Sequence, residues 1–146
     1  MKSENDIEEK IHADGKIDEQ VVLQASLDGV DYPIVMGSNL EGIADRIALF
    51  THSKRIFILS DSFFKGGYCS RLENDLKKKG FEVITFFMEG GKANKSIYTA
   101  LSVLDNLESN EFTRDSTLIA VGGCIVGDVG GFAAATFLRG MNLVHI

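Results

Sequence analysis

The chain has 146 residues, of which 45% are hydrophobic and 25% are charged, and its formal net charge at pH 7 is −6. This composition is typical of one globular domain whose core needs no disulfide or metal. No apolar run reaches the roughly 18 residues that span a bilayer, the charged start lacks the apolar stretch of a secretory signal, and the acidity disfavours nucleic acid as a partner. Cys69 and Cys124 lack metal-ligand spacing, which predicts a reduced, cytoplasmic setting.

The acidic charge is concentrated at the start of the chain. Residues 1–19 hold seven acidic side chains against three lysines, and few large apolar residues. Such a segment cannot offset its ordering entropy by burial, so we expect a flexible acidic arm at 1–19 and one folded domain at 20–146. An interaction arm is the alternative that the same composition allows.

The first predicted elements are a β-hairpin and a helix. β-rich runs lie on either side of Asp28 and Gly29, a pair that favours a tight turn. Ser38 stands three residues before Glu41, a spacing that predicts a capped helix. The inner face of this helix would carry Leu40, Ile43, Ala44 and Ile47.

Strands and helices then alternate. Apolar runs predict strands at 55–60, 81–87 and 117–121, with another beginning at 142. One intervening helix would end just before Gly80, and the last would run through Leu138 and be closed by Gly140. The inner faces of the two middle helices would carry Phe64, Tyr68, Leu72 and Leu76 in the first, and Ile97, Leu101, Leu104 and Leu107 in the second. Repeated strand–helix–strand units predict an α/β fold with a parallel sheet.

Ligands bind beyond the carboxyl ends of such strands, where this chain stops, so we expect it to be part of a longer protein.

A glycine-rich turn between the strand at 117–121 and the last helix is the sharpest feature. Glycines let the backbone approach a diphosphate closely, and the start of a helix attracts anions. The spacing is not the GxGxxG fingerprint, and a plain strand-to-helix turn stays open as the alternative. The candidate nucleotide-binding residues are Gly122, Gly123, Cys124, Ile125, Val126, Gly127 and Asp128, the last of which can accept a hydrogen bond from a ribose hydroxyl. Gly130 and Gly131, inside the helix, indicate close packing.

Two further candidates follow neighbouring strands. The loop after the strand at 81–87 contains two glycines and two lysines that can close over a nucleotide or phosphate: Gly90, Gly91, Lys92 and Lys95. A solvated loop is the alternative. Asp61 either caps the next helix or accepts hydrogen bonds from an adenosine. If the strands are parallel, all three strand ends converge at one edge of the sheet.

Other polar residues give weaker signals. Arg139 either favours the negative end of the last helix or binds a substrate phosphate. His12, His52 and His145 have no metal-ligand spacing, and we expect His145 to pack on the last strand. Cys124 has no partner in the sequence that would make it a nucleophile.

The stretch DSTLIAVGGCIVGDVGGFAAATFLRG at residues 115–140 is long and specific. It resembles the 3-dehydroquinate synthases and, more broadly, the sugar-phosphate cyclases. The resemblance extends upstream through Lys95, Asp61 and the hairpin around Tyr32, and so covers about residues 20–146.

The resemblance implies the amino-terminal, NAD-binding Rossmann-like domain of a two-domain lyase, without the family's helical second domain. Such enzymes convert 3-deoxy-arabino-heptulosonate 7-phosphate to 3-dehydroquinate in the shikimate pathway of aromatic amino acid biosynthesis. Bound NAD takes a hydride from the substrate, phosphate is eliminated, and the hydride returns. A divalent metal, zinc or cobalt, is expected only in the missing domain, so the resemblance implies no metal ligand and no catalytic residue here, and a chain that is inert alone.

The resemblance also implies roles for individual positions. Residues 124–128 would cradle the diphosphate and the nicotinamide ribose, and residues 90–95 would close over the adenosine. Asp61 would stand near the adenine. Arg139 would bind the substrate phosphate across the interface of a homodimer.

Two positions depart from the family's pattern. Cys124 stands where a third glycine is usual, so that a Cβ intrudes towards the diphosphate. Lys92 stands where the family usually has a glutamate that binds the adenosine ribose, which leaves NADP open. We therefore expect weaker NAD binding than is usual in the family. Another sugar-phosphate cyclase and a non-catalytic nucleotide-binding or dimerisation module are the alternatives, whereas an iron-dependent polyol dehydrogenase fits residues 132–140 less well.

Overall fold

A computed structural model describes residues 21–37 and 39–146. These fall into two compact units, the first ending at Gly42 and the second spanning Ile43–Ile146. The predicted acidic arm, the interaction arm that is its alternative, and the predicted cap at Ser38 lie outside the described residues. None of the helices within the described ranges is long and apolar enough to cross a membrane.

The first unit contains the predicted hairpin. Strands β1 (Val21–Leu27) and β2 (Val30–Met36) pair antiparallel, with Leu27 opposite Val30. Asp28 and Gly29 have φ angles of 51° and 80°. Because a two-residue type I′ turn requires positive φ at both positions, this pair determines where the hairpin reverses.

Helix α1 (Ile43–Phe50) begins later than predicted. Ala44 and Ile47 are buried as expected, but Leu40 precedes the helix and is exposed, so its predicted place on the inner face is wrong. The reason is Gly42, whose φ of 71° is incompatible with a right-handed helix. The helix therefore begins at the residue after this glycine.

The second unit is built on a four-stranded parallel sheet. Its strands are β3 (Arg55–Asp61), β4 (Glu82–Met88), β5 (Thr117–Val121) and β6 (Asn142–His145), in the order β4-β3-β5-β6. The sheet and its flanking helices confirm the predicted α/β fold class. Strand β3 lies between β4 and β5, so its apolar run is fully buried, as the sequence predicts for a central parallel strand.

Helices α2 (Tyr68–Lys78), α3 (Ile97–Ser109) and α4 (Cys124–Thr136) complete the unit. Alternate residues of the sheet contribute to two separate cores. Phe57 and Leu118 pack with α3 and α4 on one face. Ile58 and Ile119 pack with α1 and α2 on the other, so both faces of the sheet are covered.

Helix α2 ends as predicted but starts later. The amide of Gly80 donates to the carbonyl of Lys77, and the amide of Phe81 donates to that of Leu76, which forms a Schellman cap. Phe64, predicted on the helix, lies instead in a separate 3₁₀ turn (Ser62–Phe64). Gly66, with a φ of 83°, separates the turn from the helix.

The buried face of α3 differs from the predicted one. Leu107 is buried as predicted and Leu104 packs partly buried against the core, but Ile97 and Leu101 are exposed. Ala100 and Val103 are buried instead. Both sets have helical spacing, so periodicity alone does not choose between them. The small Ala100 faces the core, where α3 packs beside α4.

The end of α4 is a second correction. The helix stops at Thr136 rather than at Leu138, because Leu138 and Arg139 adopt left-handed φ angles of 48° and 67°. Gly140, also at positive φ, closes the segment, and its amide donates to the carbonyl of Phe137 over 2.9 Å.

Candidate functional site

The carboxyl ends of three adjacent strands meet, as the sequence predicts for a parallel sheet. Asp61 at the end of β3 pairs with Met88 at the end of β4. On the other side of β3, Ser60 pairs with Val121, the last residue of β5. The segments that follow these strands therefore start at one edge of the sheet, and this edge is the candidate site.

The glycine turn after β5 leaves an open corner. Gly122 has a φ of 150°, and a Cβ at this position would lie 3.0 Å from Cγ2 of Val126, so the turn requires glycine there. Gly123 is different, because its φ of −75° is ordinary and a Cβ on it would meet no atom within 4 Å. The described residues therefore leave the space in front of Gly123 open.

Four backbone amides at the start of α4 have no acceptor among the residues that the structure describes. Within the described part of the chain, those of Gly123, Cys124, Ile125 and Val126 make no hydrogen bond, and no side chain caps the helix. The next amide, that of Gly127, donates to the carbonyl of Gly123 over 3.1 Å. Unpaired amides and the positive end of the helix dipole together attract an anion.

Lys95 and Asp128 join two sides of this edge. The Lys95 Nζ lies 2.5 Å from the Asp128 Oδ2, and both side chains are about half exposed. Hydrogen bonding and charge from Asp128 raise the pKa of Lys95, and the nearby Cys124 adds to this effect. Since β4 and β5 both pair with β3, this ion pair connects the loop after β4 to α4 across the end of β3.

Asp61 caps the segment that follows β3, one of the two roles predicted for it, and it lies at the candidate edge. Its Oδ1 accepts a hydrogen bond from the Phe63 amide over 2.8 Å and so caps the 3₁₀ turn. A Cβ at Gly90 would lie 2.5 Å from the Asp61 Oδ2. The loop after β4 therefore lies against this carboxylate, and a side chain at residue 90 would require the Asp61 side chain to move.

The loop after β4 is held by its own hydrogen bonds. The Asn94 side chain donates to the carbonyl of Gly90 over 2.7 Å, and its amide donates to the carbonyl of Gly91, whose φ is 96°. Ser96 caps α3 by accepting from the Thr99 amide. Lys92 is exposed and forms no ion pair or hydrogen bond with the described residues through its side chain.

Arg139 is separated from the other candidates. It follows the carboxyl end of α4, whereas the glycine turn precedes the amino end of this 13-residue helix. At 1.5 Å per residue, the helix separates the two ends by about 20 Å. The structure therefore does not bring Arg139 to the candidate site within one copy of the chain.

His145 and Gly130 show how α4 packs on the sheet. The His145 Nδ1 lies 3.3 Å from where a Cβ on Gly127 would be, although His145 itself is exposed rather than buried on its strand. A Cβ on Gly130 would lie 2.9 Å from the Cβ of Ala120. This distance confirms the predicted close packing of the helix against β5.

Two residues near the edge escaped the sequence analysis. Ser60 is fully buried, and its hydroxyl donates to the carbonyl of Val121 over 2.8 Å while accepting from the Cys69 thiol. A polar residue within an apolar run was its only signal. Phe63 lies in the 3₁₀ turn that Asp61 caps. Its aromatic side chain is 85% exposed near this edge.

Other polar groups of the described ranges form no comparable site. No group of three or more His, Cys, Asp and Glu side chains in those ranges could hold a metal ion. A surface groove at the opposite edge contains His52, Lys54 and Lys79. Lys79 pairs with Asp45, and the Lys54 ammonium lies 4.8 Å from the centre of the Phe81 ring, so both cations are already engaged.

The fold is that of a parallel α/β domain. Its candidate site is a helix start whose backbone amides are free to bind an anion. Residues 85–146 match the family described as 3-dehydroquinate synthase N-terminal. The chain is 33% identical over 116 residues to the 3-dehydroquinate synthase of Caldanaerobacter subterraneus subsp. tengcongensis, which covers 79% of this chain and 33% of that protein. It is 37% identical over 123 residues to that of Alkaliphilus oremlandii, with coverages of 83% and 33%. The chain is similar to 3-dehydroquinate synthases over most of its own length, and it spans about one third of the length of these relatives.

Solved structures with the same fold are sugar-phosphate cyclases. A 2-deoxy-scyllo-inosose synthase superposes with a TM-score of 0.72 at 20% identity, covering 86% of this chain and 35% of that one. A 2-epi-5-epi-valiolone synthase from Streptomyces hygroscopicus subsp. jinggangensis, with NAD+ and Zn2+ bound, gives 0.58 at 23% identity, with coverages of 62% and 26%. These likenesses confirm the predicted fold.

Proposed function

We propose that this domain binds NAD and forms the nucleotide-binding part of a 3-dehydroquinate synthase. The open start of α4 carries this proposal, because among the described residues four amides there have no acceptor and no atom occupies the space beside Gly123. Support comes from the relatives named 3-dehydroquinate synthase and from a solved 2-deoxy-scyllo-inosose synthase that holds carbaglucose-6-phosphate, NAD+ and Co2+. The proposed reaction of the whole protein is the conversion of 3-deoxy-arabino-heptulosonate 7-phosphate to 3-dehydroquinate.

The residues at the edge fit a dinucleotide. The amides from Gly123 to Val126 would hold the diphosphate, and Asp128 with its partner Lys95 would lie beside the nicotinamide ribose. The glycines of the loop after β4 and the Asp61 carboxylate would line the adenosine side. When bound, NAD supplies a hydride acceptor that later returns the hydride. The side chains of this domain bind and orient it.

The proposal extends to parts that the described residues do not contain. Arg139 would contribute to the phosphate site of a second copy in a homodimer, since it lies at the far end of α4 from its own site. A zinc or cobalt ion would be held by a second domain, and the chain alone would then be inert. Weaker NAD binding caused by Cys124 and Lys92, and the cytoplasmic setting, stay predictions from the sequence.

Another sugar-phosphate cyclase is the second candidate function. Two solved neighbours favour it, because their names state that enzymes of this fold synthesise two different products. A phosphate-release assay on the whole protein, with 3-deoxy-arabino-heptulosonate 7-phosphate, NAD and zinc, distinguishes the two. Release supports dehydroquinate synthesis, and no release from this sugar phosphate favours the other cyclase.

Substitution of Gly123 tests the nucleotide site directly. A Cβ there would meet no atom of the described residues within 4 Å, so Gly123→Ala should leave the fold intact while its methyl group enters the space proposed for the diphosphate. We expect NAD to bind the native chain and to bind Gly123→Ala at least about tenfold more weakly, a loss of about 1.4 kcal/mol in calorimetric titration.

The matched control is Gly131→Ala, two turns further along the same helix. Its Cβ would make ordinary contacts at 3.9 Å with His145 and Leu143, so NAD affinity should be unchanged. Absence of NAD binding to the native chain would contradict the proposed function. Equal affinities of the two variants would contradict the placement of the diphosphate.

A further inference from the structure

A buried hydroxyl group is bonded to the peptide that leads into the glycine turn. Ser60 lies near the carboxyl end of β3 and is fully buried. Its hydroxyl donates to the carbonyl of Val121 over 2.8 Å and accepts from the thiol of Cys69, in the first turn of α2, over 3.1 Å. Since a carbonyl can only accept, the hydroxyl hydrogen points at Val121.

The peptide group between Val121 and Gly122 is held on two sides. Its carbonyl is the last one of β5 and accepts from Ser60. Its amide belongs to Gly122 and donates to the carbonyl of Ile146 over 2.9 Å. The two bonds come from opposite directions, because the C=O and N–H of a trans peptide point apart and β5 lies between β3 and β6.

This peptide comes directly before the proposed diphosphate site. The amide of Gly123 is the next one along the chain and the first of the four that have no acceptor among the described residues. The φ of 150° at Gly122 sets the direction in which the chain enters α4, and thereby the direction of these amides. Binding groups that are held in place before the ligand arrives cost less free energy to order. A peptide free to tilt would have to be ordered by the diphosphate itself.

A second buried hydroxyl in the sheet shows that such bonding is not automatic. Thr117 begins β5, at the other end from Val121, and is also buried. Its hydroxyl has no hydrogen-bond partner among the described residues. Thr117 therefore serves as a matched comparison for Ser60, because both bury one hydroxyl in the same sheet and only Ser60 is bonded to the turn.

We propose that Ser60 is a positioning residue for the nucleotide site, because its hydroxyl holds the peptide that leads into the amides of α4. The inference rests on the proposed function, since it takes those amides to bind the diphosphate. It adds a residue that is too deeply buried to touch the nucleotide and acts through the Val121 carbonyl. The Cys69 thiol orients this hydroxyl from the other side.

Calorimetric titration of the full chain with NAD+ measures the effect on binding. Ser60→Ala removes the hydroxyl, and we expect the folded variant to bind NAD+ at least about fivefold more weakly than the native chain. Thr117→Val is the matched control. It removes the hydroxyl without a partner and should leave the affinity within about twofold of the native value.

Amide hydrogen exchange separates positioning from a general loss of stability. In folded Ser60→Ala, the Gly122 amide should exchange at least about tenfold faster relative to that of Ile119, which lies in the middle of β5 and reports opening of the whole sheet. Cys69→Ala keeps the hydroxyl but removes the thiol that orients it. It should change both measurements in the same direction by a smaller factor, and it decides the question if Ser60→Ala does not fold.

The outcomes distinguish this inference from the proposed function. A native chain that does not bind NAD+ overturns both. If the native chain binds, equal affinity of Ser60→Ala overturns the inference alone, as does equal acceleration of exchange at Gly122 and Ile119. A loss of affinity in Thr117→Val as large as that in Ser60→Ala overturns it too. If Ser60→Ala does not fold, a Cys69→Ala variant with native affinity and native exchange has the same consequence.

Discussion

At the scale of single residues, the two cysteines of the second unit differ in their surroundings. Cys69 is fully buried below the candidate edge and donates its thiol hydrogen to the Ser60 hydroxyl over 3.1 Å. Burial raises the pKa of the Cys69 thiol, although its hydrogen bond to Ser60 partly opposes the shift. Cys124 is exposed in the first turn of α4. The two thiols should therefore differ in reactivity by orders of magnitude, because the thiolate is the reactive form and access limits its attack.

A thiol-specific reagent under native conditions tests this difference. We expect one equivalent of thiol to react rapidly at pH 8 and the second only when the chain unfolds. Cys124→Ser should remove the rapid phase, whereas Cys69→Ser should leave it. Reaction of two equivalents of thiol at one rate in the native chain would show that Cys69 is accessible. It would contradict the burial of Cys69 below the candidate edge.

Residue types were easier to predict than residue partners. The sequence places Asp61, Gly90 and Gly123 after strands, and parallel pairing then brings them to one edge. It does not reveal that Lys95 reaches Asp128, because this contact depends on how two segments meet across β3. The role of Ser60 was equally hidden, since a lone polar residue in an apolar run has no partner until the sheet order is known.

At the scale of elements, α4 contains two neighbouring glycines with opposite roles. Gly130 faces β5, and an added Cβ would lie 2.9 Å from Ala120, 3.3 Å from Leu59 and 3.4 Å from Leu118. Gly131 points away from this contact, and an added Cβ would meet atoms only at 3.9 Å. The first glycine therefore sets the distance between helix and sheet, whereas the second mainly lowers helix propensity.

Alanine at each position separates these effects. Gly130→Ala should lower the free energy of unfolding by about 1–3 kcal/mol, because overpacking outweighs the gain in helix propensity. Gly131→Ala should raise it by about 0.5–1 kcal/mol, the cost of glycine in a helix. Urea unfolding of the two variants beside the native chain measures both. A stabilising Gly130→Ala would contradict the close contact between α4 and β5.

The positions of elements followed from the sequence better than their ends and faces did. Buried strands and the cap at Gly80 have local signals, and both appear as predicted. The face of α3 depends on which apolar set meets α4, and two sets share the same spacing. The end of α4 depends on left-handed angles at Leu138 and Arg139, which no helix signal predicts for non-glycine residues.

At the scale of the whole molecule, the candidate site and Arg139 lie at opposite edges of the sheet. The candidate nucleotide site lies at the carboxyl ends of the strands, whereas Arg139 lies at the other end of α4. A substrate phosphate bound by Arg139 therefore belongs to the site of another copy if the enzyme works as proposed. The candidate site of the described unit does not include this arginine of its own chain.

Substitution of Arg139 should leave nucleotide binding untouched. About 20 Å of helix separates it from the diphosphate amides, beyond about two Debye lengths at physiological ionic strength. We expect Arg139→Met to bind NAD within about twofold of the native chain in calorimetric titration. A loss of NAD affinity greater than tenfold in a folded Arg139→Met variant would contradict the placement of Arg139 outside the site of its own copy.

The central claim is that the amides at the start of α4 bind the diphosphate. Nuclear magnetic resonance observes each of these amides individually. Titration of the isotope-labelled chain with NAD and NADP should produce the largest amide shifts at Gly123, Cys124, Ile125 and Val126, with smaller ones around Asp61 and Lys92. Binding of a dinucleotide that leaves these four amide signals in place would contradict the claim that this helix start holds the diphosphate. So would a titration in which no signal of the chain shifts.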